Sequence, residues 1–202
     1  MSARQVSGRA GRLALSARLA ASRRAVELLD RKQRALAGEL EGLELVTARS
    51  AEAFEARART ASNWLRRSVG LDGQGGLLAA VPAGRTEVTI GYDVTMGVRH
   101  PTRTEVRPAA GDPAGSSALT FTVQAHREAL TAAVQLAATQ RGVALLTAEL
   151  VLTRQQQRAL ETRWIPRLER QAAELEQRLD EVEREENLRL RWAVAHPTGE
   201  DR

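Results

Sequence analysis

The chain has 202 residues, 43% of them hydrophobic, 27% charged and 3% aromatic, with a formal net charge of +5. Cysteine is absent, which excludes disulfides, thiolate nucleophiles and cysteine-ligated zinc. The sole lysine, Lys32, lies between Arg31 and Gln33, so the Gly-Lys-Ser/Thr of a P-loop is excluded too.

The first predicted element is a long helix over residues 1–69. No proline occurs between Leu13 and Val69. A seam runs through Leu15, Leu19, Ser22, Val26, Leu29, Gln33, Leu36, Leu40, Leu43, Thr47, Ser50 and Phe54 in alternating steps of four and three. That is the period of a coiled coil. At about 1.5 Å per residue such a helix is roughly 80 Å long. Residues 1–69 carry 14 cations and 7 anions.

Residues 70–118 form a Gly/Pro-rich insertion, and residues 70–148 carry 6 cations and 6 anions. The run from Gly70 to Gly76 is expected to end the first helix. Glu87–Ile90 alternates polar and apolar residues, as a half-exposed strand does, and Thr104–Arg107 is its expected partner in a short β-hairpin.

Helix is predicted again over residues 119–193, followed by a flexible tail at 194–202. Leu136, Val143, Leu146, Leu150, Thr153, Gln157, Leu160 and Trp164 form one seam, and Leu168, Ala172, Leu175, Leu179 and Val182 continue it. Two successive four-residue steps, Leu160 to Trp164 to Leu168, make a stutter, and Pro166 inside it predicts a kink. Residues 149–202 carry 10 cations and 12 anions. The fold class expected is therefore all-α dominated: a long antiparallel two-helix coiled coil with a small β-hairpin-containing insertion.

The basic first segment is expected to pair with the acidic third segment before any outside ligand. His100, His126 and His196 are scattered and form no HExxH, so no zinc site is expected, and a helical hairpin offers little cleft for a catalytic triad. The chain is read as non-catalytic, without metal or cofactor. Trp164 and Trp192 are expected to pack in the core, with a partner-facing anchor as the other reading. No run of about 18 apolar residues occurs, so no membrane-spanning helix is expected. The N-terminus is basic, but Arg18, Arg23 and Arg24 interrupt the apolar stretch that follows, which argues against a signal peptide.

Five motifs in order resemble the D subunit of V/A-type rotary ATPases. Leu28-Leu-Asp-Arg-Lys-Gln-Arg-Ala-Leu36 is similar to the family's LLK-x-K-R-x-x-L, with Lys32 on the second lysine. Met96-Gly97-Val-Arg-His-Pro101 is similar to MGV-x-x-P. Thr153–Glu161 resembles TRR-x-NALE, and Ile165-Pro166-Arg-Leu-Glu169 matches IPRLE. Leu179–Arg191 resembles LEE-x-EREE-x-x-RLK. Asp30, Arg158 and Arg191 depart from the motifs, replacing lysine, asparagine and lysine.

The resemblance implies a central stalk, or rotor shaft, coupling ATP synthesis or hydrolysis in a catalytic head to proton or sodium translocation. Its partners would be the catalytic-head A and B subunits, the F subunit of the stalk and the funnel-shaped subunit above the membrane rotor ring. Nucleic acid and direct membrane insertion are not expected. The complex would lie on the cytoplasmic face of the cell membrane, with this chain peripheral. Arg12, Arg18, Arg184, Arg189 and Arg191 are expected to face the head, because charged, exchangeable contacts suit a turning surface. Trp164 and Pro166 are expected to form a partner contact or a compliant point. The rival readings are a coiled-coil adaptor and a basic nucleic-acid-binding helical hairpin, neither related to ATPases.

Overall fold

The computed structural model of the chain describes residues 8–81, 84–109 and 115–196. Pro82, Gly111 and Pro113 of the insertion and residues 197–202 of the expected tail lie outside the described residues. The elements are helix α1 (Gly8–Ala79), strands β1 (Glu87–Thr95) and β2 (Val98–Arg107), helix α2 (Ser117–Ala159), one π-helical turn (Leu160–Trp164) and helix α3 (Ile165–Ala195). The fold class expected from the sequence is the one observed: two long helical arms flanking one antiparallel hairpin.

The chain divides into two units, one made of residues 1–31 and 153–202, the other of residues 32–152. In the first, α1 and α3 run antiparallel. Arg9 pairs with Glu183 at 3.2 Å and Arg23 with Glu169 at 2.9 Å. The hydrophobic cluster between them holds Leu15, Leu168 and Leu175, with Leu19 and Leu179 packed against it. The basic first segment does meet the acidic third segment here. The two ion pairs are more than half exposed on one or both sides, so each is worth only about 0–1 kcal/mol. Each buried leucine contributes about 1.5–3 kcal/mol, so the leucine seam dominates the cohesion of this unit.

Pro166 does not break the helix. The backbone stays right-handed helical at Ala159, Trp164 and Ile165, and the Ile165 N–H donates to the Leu160 carbonyl, five residues back. The expected kink is thus replaced by a widened turn. The reason lies in the seam, which carries one residue more than two heptads between Leu160 and Leu175, and a π turn absorbs one residue. Pro166 then falls in the first turn of α3, where its missing N–H costs little.

In the second unit α1 pairs with α2. Leu36, Leu146 and Leu150 are the buried cluster, with Leu40, Leu43 and Val98 against it. The far end is tied by a buried hydrogen bond of 2.6 Å between the Ser68 and Thr122 hydroxyls, and by Trp64 stacked on Phe121 at 4.7 Å with Arg67 over the indole. The glycine run interrupts α1 where the sequence led one to expect, with a kink at Gly73 that separates the long helix from a short helical stretch. Gly73 alone leaves the helical region, at φ 65° and ψ −176°, and helix continues beyond it to Ala79. Asp72, just before this break, accepts from the Ser116 backbone N–H and hydroxyl and so holds the start of α2.

The hairpin pairs Glu87–Ile90 with Thr104–Arg107, the two segments expected to pair, in the register Glu87↔Arg107 to Ile90↔Thr104. It is longer than the alternating segments alone, because Met96 and Gly97 close it. Both have positive φ, 50° and 85°, as a two-residue hairpin connection of the I′ kind requires. A bulge after Gly91 leaves Thr102 out of the ladder and brings Pro101 opposite Tyr92. Val98 joins the Leu36–Leu146–Leu150 cluster, so the tip of the hairpin lies against the α1–α2 pair.

Candidate partner surfaces

Three groups of sequence-marked residues fall in distinct places. The first is the exposed surface of the α1–α3 unit. Arg12 and Arg18 are exposed on α1, and Arg184, Arg189 and Arg191 on α3. Arg189 reaches Glu185 at 3.5 Å and Arg184 reaches Glu181 at 3.9 Å, both within one helix. Arg12, Arg18 and Arg191 have no ion-pair partner among the described residues. Beside them the last turns of α3 expose Leu188, Leu190, Trp192 and Val194. A charged surface is what the sequence leads one to expect there. These apolar side chains escape a periodicity argument because their spacing does not continue the seam. Trp192 is not a core residue; its ring stacks on His196 at 4.9 Å.

The second group surrounds the π turn. Trp164 occupies a seam position in the sequence, yet it is 46% exposed, whereas Ile165 and Pro166 are half-buried. The expectation of a core tryptophan fails because the widened turn moves the inward direction onto the next residues. Trp164 borders an open groove of about 550 Å³ together with Leu29, Gln156, Ala159, Leu160, Arg163 and Arg167. Arg158, the residue that departs from the motif, is exposed, and its carbonyl accepts from the Thr162 hydroxyl at 2.7 Å.

The third group joins two motifs that are far apart in the chain. Lys32 on α1 pairs with Glu149 on α2 at 2.5 Å, with both side chains about 30% exposed. One turn along, Leu36, Leu146 and Leu150 receive Val98 from the hairpin. The Met96-Gly97 turn immediately precedes Val98. Pro101 is buried, and its carbonyl lies 3.6 Å from where a side chain on Gly142 would start. A Cβ there would also meet Leu43 at 2.6 Å. Gly142 therefore allows α2, Leu43 and the hairpin to approach one another. In the sequence Gly142 reads only as punctuation, because nothing local shows what it faces. His100 is 1% exposed in the same strand and bonds the Thr95 hydroxyl through Nε2 at 3.1 Å.

No helix among the described residues is long and apolar enough to cross a membrane. No curated protein matches the chain. A family model for the ATP synthase D subunit matches residues 12–195, which takes in both helical arms and the hairpin between them. With that span covered, the chain belongs to the ATP synthase D subunit family.

Proposed function

We propose that this chain is the central stalk of a V/A-type ATP synthase/ATPase, a rotor shaft that performs no chemistry itself. Residues 1–69 and 119–193 serve as the shaft, 70–118 as the insertion and 194–202 as the tail. Family membership and one structural observation support this reading. The observation is the antiparallel packing of two unlike helices on one leucine seam, Leu15 and Leu19 of α1 against Leu168, Leu175 and Leu179 of α3.

Torque transmission needs stiffness and asymmetry. Packed leucines supply stiffness, because separating the helices exposes apolar surface along the whole seam. Asymmetry follows from charge: α1 contributes Arg9, Arg12, Arg18, Arg23 and Arg24, while α3 contributes Glu181, Glu183, Glu185 and Glu186. Such a rod presents a different face to each site of a ring of catalytic A and B subunits. Turning it biases each site between open and closed states by differential contact, which any coupling mechanism requires. Arg12, Arg18, Arg184, Arg189 and Arg191 are the head-facing residues in this reading. The insertion end meets the F subunit of the stalk and the funnel-shaped subunit over the membrane rotor, at the cytoplasmic face of the membrane. The cargo is protons or sodium ions.

The test is reconstitution. The chain copurifies with the head, and membranes carrying the complete complex pump ions on ATP addition. A complex rebuilt without the chain retains ATP hydrolysis but pumps none. Full coupling in its absence removes the proposal.

A further inference from the structure

The groove beside the π turn is lined by apolar and cationic side chains together, Leu29, Ala159 and Leu160 with Trp164, Arg163 and Arg167. Neither arginine has a hydrogen bond or ion pair among the described residues. Elsewhere in this unit Arg9, Arg23, Arg184 and Arg189 all hold carboxylates.

The local sequence explains why these two do not. One helical turn away, Arg163 has Ala159 and Arg167 as neighbours, and Arg167 has Arg163 and Gln171. Nearby carboxylates are already engaged: Glu169 is held by Arg23 at 2.9 Å, and Glu161 accepts from the Gln157 amide at 2.9 Å. Two like charges four residues apart destabilise an isolated helix by tenths of a kcal/mol, and a half-exposed indole adds unburied apolar surface. Arg163 and Trp164 sit on the π turn and Arg167 in the first turn after it, and such a distortion recurs at functional positions in helices.

We infer that this groove receives an acidic segment bearing a large apolar side chain, contributed by another subunit of the complex. The inference rests on the rotary-complex reading and names the chemistry of one contact within it. The apolar side chain lies on Leu29, Ala159 and Leu160 against the Trp164 ring, and carboxylates on either side of it pair with Arg163 and Arg167. Desolvated on one face by the partner, such charge-assisted bonds are stronger than exposed ion pairs. A nucleic acid fits less well, because the helix continues into Glu174, Glu176, Asp180 and Glu181, which repel a phosphate backbone.

The test places a photo-crosslinking phenylalanine derivative at position 164, and separately at position 156, in the assembled complex. Both positions should crosslink to a stretch with at least two Asp or Glu residues within four positions of a Leu, Ile, Met or aromatic residue. In parallel, the double substitution Arg163→Glu/Arg167→Glu should leave the melting temperature of the isolated chain unchanged and weaken its capture by the other subunits of the complex at least fivefold. Arg163→Lys/Arg167→Lys should retain most of that capture. Crosslinks to neutral or basic stretches or to nucleic acid overturn the inference. So do a complex that assembles without crosslinks and capture unaffected by charge reversal. A chain that joins no complex at all defeats the rotary reading as well, so the two failures are separable.

Discussion

Gly142 carries more structural consequence than its composition suggests. Its missing side chain leaves room for Leu43 of α1 and for the Pro101 carbonyl of the hairpin. Leu43 is a flexible apolar chain and can retreat from a single methyl; a backbone carbonyl and a branched side chain cannot share the same space. Gly142→Ala should therefore cost little, whereas Gly142→Val should destabilise by about 1–3 kcal/mol, as overpacking does. Thermal unfolding checks both, and a Val variant as stable as the parent would show that the hairpin does not rest on α2 there. Lys32 makes the complementary case. Its pair with Glu149 is partly buried, so it is worth more than a surface pair yet still screened by solvent. A double-mutant cycle, Lys32→Met against Glu149→Gln, should give a coupling of about 1 kcal/mol that shrinks in high salt.

The helices test how far periodicity reaches. All twelve seam positions from Leu15 to Phe54 are buried or half-buried, because a repeating step leaves one face inward wherever a partner helix of matching period lies against it. The second seam holds equally well from Leu136 to Leu160 and from Leu168 to Leu179. It fails at Trp164 and at Val182. Trp164 is displaced by the π turn. Val182 lies at the level of the Arg9–Glu183 pair, where α1 offers Gly8, Ala10 and Gly11 and nothing large enough to cover it. The sequence pattern located the disturbance but not its form, because a stutter and a proline are compatible with a kink as well as with a widened turn. What closes the hairpin tip onto the helices, Val98 against Leu36 and Leu146, depends on pairing across long stretches of chain and has no local signature. Deletion tests the π turn directly. Removing Glu161 together with Pro166→Ala brings Leu160 and Leu175 back to a separation of two whole heptads. That variant should keep its helix content and melt no lower than the parent by circular dichroism, while losing the groove at Trp164. A single-residue deletion at Ala173, which leaves the π turn in place and puts Leu175 and Leu179 out of register, should lower the melting temperature markedly.

At the scale of the molecule, the division between residues that hold the chain together and residues that meet partners can be measured by comparing the isolated chain with the assembled complex. Leu175 is 6% exposed and lies in the α1–α3 seam, so Leu175→Ala should cost about 2–5 kcal/mol in the isolated chain. Leu188, Leu190 and Val194 are 64%, 64% and 81% exposed, so replacing all three with Gln should change the isolated chain's stability by less than about 0.5 kcal/mol each. In the proposed seat within a catalytic head the order should reverse. Apolar side chains left uncovered over the last turns of one helix are characteristic of a surface that is buried on association. The triple Gln variant should therefore assemble less tightly or hydrolyse ATP with fewer ions moved, although its own fold is intact. The arginines around them, Arg184, Arg189 and Arg191, give the matching electrostatic control: their contribution to assembly should fall as salt rises, while that of the leucines should not. If the Gln variant assembles and couples like the parent, the chain is held at this end by charge alone, and the apolar turns of α3 serve neither the fold nor the complex.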